Sequence, residues 1–220
     1  MSRFDSLMDK VIRVGDGRGF VVEGRDRSLV ITASHCLPHL PPRHPAAHMH
    51  ERMHRNLLGR LGSELTVWTE VLFVDPVADI AVLGEPDGQE LFDECEAYFQ
   101  LLPNEPLHMA NAQETSRAWL LSLEGEWFEC EVWHHPEGPL WIRNAAQPIV
   151  GGMSGSPILN DDGAAIGALC TGRETTRDGG PNPCLAAHLP GWLAGKLLAP
   201  TIITAEKKLA ARMSKGMFDG

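Results

Sequence analysis

At 220 residues the chain is long enough for one large domain or for two small ones that share a core. A formal charge of −10, with no basic stripe set against it, argues against nucleic acid or an anionic membrane as partner. No apolar run approaches the roughly 20 residues that span a bilayer, and residues 1–10 lack the apolar core of a secretory signal, so the expected address is cytoplasmic. Five cysteines, an odd number without a C-x-x-C pair, predict neither a disulfide framework nor a zinc ribbon but reduced thiols.

The 22 glycines and 16 prolines favour a turn-rich β fold over a helix bundle. After a short helix or loose lead-in over 2–9, Lys10–Val14 reads as a strand, followed by a glycine-rich turn into Phe20-Val21-Val22. A polar hairpin over 24–28 leads to the buried strand Leu29–Thr32. Pro38 to Pro45 reads as an exposed excursion. Residues 46–61 are predicted helical, because Met49, Met53, Leu57 and Leu61 recur every four residues. Glu64–Val74 and Asp75–Leu83 return to strand character. The acidic, proline-bearing stretch 84–105 separates this half from a second run of strands: Arg117–Leu123, Phe128–Trp133, Leu140–Ile142, Pro157–Leu159, Ala165–Thr171 and Cys184–Leu189. Pro190–Leu198 and Thr204–Met213 are predicted as C-terminal helices.

The chemistry gathers around Gly151-Gly152-Met153-Ser154-Gly155-Ser156-Pro157. Glycines permit backbone angles that a Cβ forbids, so this turn can present the Ser154 hydroxyl and aim the amides of Gly152 and Ser154 at one point. Two converging N–H donors beside a hydroxyl meet the needs of acyl transfer, where negative charge develops on a carbonyl oxygen. Such a serine needs a base, and the base needs an orienting group. His35 stands at the end of the apolar strand Leu29–Thr32. Asp79 stands directly before the buried run Ile80–Leu83, where a carboxylate is costly unless a partner such as a histidine N–H meets it. The chain order His, Asp, Ser is one on which a triad can be built.

These three stretches carry a resemblance. Val30-Ile-Thr-Ala-Ser-His-Cys36, Ala78-Asp-Ile-Ala-Val-Leu83 and Gly152-Met-Ser-Gly-Ser-Pro157 resemble the histidine, aspartate and serine signatures of chymotrypsin/trypsin-like serine peptidases. Gly17–Val22 and the region Asn182–Leu193 resemble the short bacterial members. The resemblance spans about residues 11–195. It implies an all-β fold of two packed antiparallel six-stranded barrels, with a helical insertion over 38–62 and C-terminal helices. The implied divisions are 1–100, carrying His35 and Asp79; 101–192, carrying Ser154; and a helical tail, 193–220.

The implied activity is that of a serine endopeptidase working on protein or peptide through an acyl-enzyme, with no cofactor. Ser154 would be nucleophile, His35 general base, Asp79 orienter, and the amides of Gly152 and Ser154 the oxyanion hole. Pro148 falls where trypsin-like specificity places an acid, and Leu169 near where glutamate-specific members place a histidine, so a small or apolar residue before the scissile bond is expected. Cys170, Thr171 and Gly172 resemble the edge that pairs with substrate backbone. Cys36 follows the histidine as in extracellular relatives, but no first-half cysteine stands near enough to pair with it. Met153 replaces the acid that captures a new N-terminus on zymogen activation, so no such trigger is expected.

The same resemblance admits an inactive domain that binds peptide or protein partners. It also admits an insertion that holds His35 from Ser154 until a regulatory partner binds. A third reading is a zinc peptidase, since His50-Glu51-Arg52-Met53-His54 matches H-E-x-x-H; on a helix His50 and His54 would share a metal. Five histidines within sixteen residues make a chance match easy, and only the distant Glu64 or Glu70 could supply a third ligand.

Overall fold

A computed structural model describes residues 4–24, 27–43, 49–170 and 176–193. Apolar residues on both faces of consecutive short strands set the architecture. In β3 (Ser28–Thr32) the alternation splits two ways: Val30 points into one core, Leu29 and Ile31 into another, and all three are buried. The strand β6 (Ile80–Gly84) does the same, with Ala81 and Leu83 inside and Ile80 and Val82 outside. Strands buried on both faces read as unbroken apolar runs.

These two strands belong to a closed six-stranded barrel, ordered β1-β2-β3-β6-β5-β4. Its other members are β1 (Val11–Val14), β2 (Gly17–Glu23), β4 (Met53–Arg60) and β5 (Val67–Asp75). All neighbours are antiparallel, and Ile12 opposite Arg60 closes the ring. The second half forms another six-stranded sheet, ordered β11-β10-β7-β8-β9-β12. Its strands are β7 (Thr115–Leu121), β8 (Trp127–His134), β9 (Leu140–Arg143), β10 (Pro157–Leu159), β11 (Ala165–Ala168) and β12 (Gly179–Asn182). This sheet is a half-barrel rather than the closed ring expected. Among the described residues, a bridge between Gly167 and Cys184, the Ala168 N–H to the Pro183 carbonyl and the Cys170 N–H to Asn182 Oδ1 span its open side.

The outward face of the first barrel packs on the second sheet. Phe20, Val22, Ile31 and Val82 meet Leu121, Trp127, Leu159 and Ala168 in one shared cluster. The acidic stretch between the halves folds in part as α2 (Phe92–Leu101), whose Tyr98 is fully buried in the first barrel's core. The chain beyond α2 joins both sheets: Leu107 bonds to Val21 and Glu23, and Ala165 bonds to His108 and Ala110.

Two predicted elements are corrected. The helix expected over 46–61 is confined to one turn, α1 (Met49–Arg52), and β4 follows at once. Residues four apart share a face of a strand as well as of a helix, so the apolar spacing fitted both. A bulge completes the ambiguity: the register slips between His54 and Leu58, around Asn56 with φ of 51°, and both Leu57 and Leu58 are buried. The stretch 38–62 is therefore not an insertion, since it contains the strand that closes the barrel. Its remainder, as far as residue 43, is mostly exposed.

The strand expected over 184–189 is instead a helical turn, α3 (Leu185–His188), and the strand lies just upstream at β12. Leu185 and Leu189 lie four apart on one side of that turn, and the His188 ring lies 2.9 Å from the Cys184 N–H. The expected helix over 204–213, and all but the first residue of the 193–220 tail, lie outside the described residues. Among the described residues, no helix is long and apolar enough to cross a membrane.

Candidate active site

The junction between the barrels gathers the motif residues. Thr32 pairs with Ala81, so the end of β3 and the start of β6 lie side by side. Residues just past one and just before the other must then meet. His35 sits in a single 3-10 turn, Ser34–Cys36, and Asp79 immediately precedes β6. Asp75 shapes the approach, its Oδ1 accepting the N–H groups of Val77 at 2.9 Å and Ala78 at 3.1 Å. Asp79 itself takes a left-handed backbone with φ of 56°, which few residues other than glycine adopt.

Its carboxylate is fully engaged with the His35 turn. Oδ2 lies 2.7 Å from His35 Nδ1. Oδ1 accepts the Ser34 hydroxyl at 2.8 Å and the His35 backbone N–H at 3.0 Å. Burial pushes the Asp79 carboxyl up, but hydrogen bonds from His35, Cys170 and Ser34 prevail and bring it down to about 2. The same hydrogen bond to Asp79 raises the His35 imidazole, against the opposing effect of burial. A carboxylate ionised at neutral pH can only accept, so the neutral imidazole carries its proton on Nδ1 and leaves Nε2 as a base. Ser34 gave no signal in the sequence beyond its place next to the histidine.

The serine motif is two tight turns in succession. Met153 N–H donates to the Val150 carbonyl with Gly152 at φ 88°, and Ser156 N–H donates to the Met153 carbonyl with Gly155 at φ 79°. Each glycine stands at the third position, where this turn geometry requires positive φ. Ser154 is 4% exposed, and its carbonyl accepts the Arg18 N–H at 2.7 Å and faces the Cys36 thiol at 3.8 Å. The backbone of Ser154 is thus seated against the residue that follows His35.

Cys36 packs on Gly17, where a Cβ would lie 2.6 Å from its sulfur, and all five cysteines are free. Burial pushes the Cys36 thiol up to about 11 and raises that of Cys170 as well, so neither competes as a thiolate.

No family model matches the sequence, and no curated protein matches it. Solved structures do resemble the fold. An inactive form of the Rv3671c protease of M. tuberculosis superposes with a TM-score of 0.50 at 16% identity, covering 90% of this chain and 91% of that one. The serine protease of a human pathogenic astrovirus gives a TM-score of 0.52 at 15% identity, covering 83% and 94%. The fold is chymotrypsin-like.

On that chymotrypsin-like frame the other predicted site residues take distinct places. Pro148 is exposed, one residue before Ile149, whose backbone pairs with Thr176. Cys170 is partly buried beside Asp79, with its thiol 3.7 Å from the Asp79 carbonyl. Its N–H donates to Asn182 Oδ1 at 2.8 Å, and the buried Asn182 in turn bonds to the Leu140 carbonyl. Thr171 and Gly172 lie outside the described residues. A cavity of about 370 Å³ opens beside Gly152, walled by Met8, Leu61 and Leu123 with Asp16 and Arg18.

Met153 is 1% exposed within the second sheet's core, and its sulfur lies 3.4 Å from the Val150 N–H. A buried methionine thus anchors the turn at the position where the resemblance sets an acid in zymogen-type relatives.

The H-E-x-x-H geometry does not form. The helix ends at Arg52, so His50 is exposed while His54 points into the barrel wall, 2% exposed. The His54 ring packs 4.4 Å from that of His39. Among the described residues, no three His, Cys, Asp or Glu side chains gather as a metal site requires.

Proposed function

We propose that the protein is a serine endopeptidase that cleaves peptide bonds through an acyl-enzyme formed on Ser154. The observation that carries this reading is the His35–Asp79 pair, hydrogen-bonded at 2.7 Å on the rim where the Ser154 turn crosses from the second sheet. His35 Nε2 takes the Ser154 hydroxyl proton as Oγ attacks the substrate carbonyl carbon. Charge on the carbonyl oxygen is met by the amides of Gly152 and Ser154. The imidazolium then protonates the leaving amine. A water, deprotonated by the same nitrogen, releases the acyl group as a carboxylic acid.

Asp79 holds the Nδ1–H tautomer and stabilises the transient imidazolium without itself taking a proton. Pro148 brings no charge to the site, which supports a small or apolar residue before the scissile bond. Five free thiols support a reducing compartment.

The deciding experiment is labelling with a fluorophosphonate probe. Stoichiometric labelling of the wild type, lost in Ser154→Ala and His35→Ala and indifferent to a chelator, is the expected result. A wild type that never labels would reject the reading.

A further inference from the structure

Arg18 is an oddity in the barrel junction. It is the second residue of β2, 6% exposed, and its guanidinium crosses to the other sheet. There Nη1 donates to the Leu121 carbonyl at 2.8 Å and Nη2 to the Ser122 carbonyl at 2.9 Å. Those carbonyls lie where β7 ends and turns toward β8. Among the described residues, the buried charge rests on backbone dipoles rather than in a direct ion pair; burial pushes its pKa down, and the nearby Glu124 opposes that. An apolar residue of similar size costs less to bury than such a cation, so stability alone gives no reason for an arginine.

Its backbone supplies the reason. The Arg18 N–H holds the Ser154 carbonyl at 2.7 Å, and the Arg18 carbonyl accepts the Thr32 hydroxyl at 2.7 Å. Thr32 ends the strand that delivers His35. Gly155 lies so close that a Cβ there would sit 1.9 Å from the Arg18 carbonyl. One residue therefore touches the serine turn, the strand leading to the histidine and the opposite sheet.

We propose that Arg18 is a positioning residue: its side chain locks the second sheet's β7–β8 turn to β2, and its main chain thereby fixes Ser154 against the His35 strand. The proposal rests on the peptidase reading for its kinetic consequence, but the coupling itself is a property of the fold. Displacing a nucleophile by about 1 Å can cost on the order of 10²-fold in rate.

The test compares wild type, Arg18→Met and Arg18→Lys by fluorophosphonate labelling rate, thermal midpoint and amide hydrogen exchange of segments 121–127 and 150–157. In Arg18→Met we expect labelling slowed about ten- to hundredfold, with both segments exchanging faster together while β3 and β6 keep their protection. Added guanidinium ion should recover part of the rate, and Arg18→Lys should fall between.

Unchanged exchange in both segments would overturn the proposal. So would a loss of protection spread evenly over all strands, the mark of a merely structural residue. If Arg18→Met fails to fold, Arg18→Lys, which keeps the charge and loses the fork, decides by the same segments. If the wild type never labels, the peptidase reading falls, and the exchange comparison still decides the coupling.

Discussion

Asp79 grips His35 at two points: the carboxylate meets the ring Nδ1 at 2.7 Å and the backbone N–H at 3.0 Å. A single bond would leave the imidazole free to swing about its own χ angles. The second bond fixes the backbone from which the ring projects, and Ser34 adds a third contact at 2.8 Å. Preorganisation of this kind is cheap at the moment of reaction because the geometry is set on folding.

Removing the charge tests that relation. Asp79→Asn should fold yet lower the labelling rate on the order of 10³–10⁴-fold, because the amide favours the wrong imidazole tautomer. Rates measured across pH carry a second signature. In the wild type the rate should rise as His35 deprotonates, with a midpoint above the ordinary imidazole value of 6.5. In Asp79→Asn that midpoint should fall back. An unaltered midpoint would show that Asp79 does not control the base.

The same pair predicts a stability profile with two edges. The folded-state value of His35 is raised, so its contribution is complete below about 6.5 and is lost as pH climbs through the higher folded value. Asp79 is depressed from 3.8 to about 2, so its contribution is present above 3.8 and disappears as pH falls toward 2. The gap in thermal midpoint between wild type and Asp79→Asn should therefore narrow on acidification from pH 4 to pH 2. A constant gap would mean that ionisation of the Asp79 carboxyl adds nothing to stability.

His54 acts in the opposite sense. Burial and the neighbouring His39 bring its pKa down to about 4, so the unfolded chain binds the proton more readily between pH 4 and 6.5. Stability is penalised below about 6.5, and the penalty grows until about 4. His54→Phe keeps an aromatic ring against His39 and should flatten this part of the curve in acid-unfolding experiments. Retention of the full slope would place its origin elsewhere.

Gly155→Ala should be among the most damaging single-atom-scale changes. The new Cβ would meet the Arg18 carbonyl at 1.9 Å and the Thr32 hydroxyl at 2.6 Å, at a backbone φ of 79°. Strain in that region alone costs about 1–3 kcal/mol, and the clash forces the serine turn away from β2. Chemical denaturation should show a loss of at least about 2 kcal/mol, with labelling abolished; a neutral result would contradict the close approach.

Met153→Ala tests the apolar anchor. Emptying a fully buried methionine site costs about 2–5 kcal/mol and should slow labelling, whereas Met153→Leu should cost less than about 1.5 kcal/mol and label normally. Equal behaviour of the two variants would show that the turn does not depend on filling that pocket.

The sequence by itself determined the strands and motifs that report their own surroundings. The apolar runs Leu29–Thr32 and Ile80–Leu83 announced buried strands, with His35 just beyond the first and Asp79 directly before the second. The glycines around Ser154 announced a turn, and two of them do adopt positive φ. Local spacing could not decide between a helix and β4, because residues four apart share a face in either, and only pairing with β1 and β5 made residues 53–60 a strand. Nor could it foresee that a Gly-Gly-Pro-Asn stretch would be β12 on the strength of pairing with β9. The role of Arg18 was invisible for the same reason: its partners lie 103 and 104 residues away. Apolar period and turn chemistry are written in neighbouring residues, whereas the closing of a barrel and the burial of the Arg18 cation are settled only when distant backbone groups arrive to meet them.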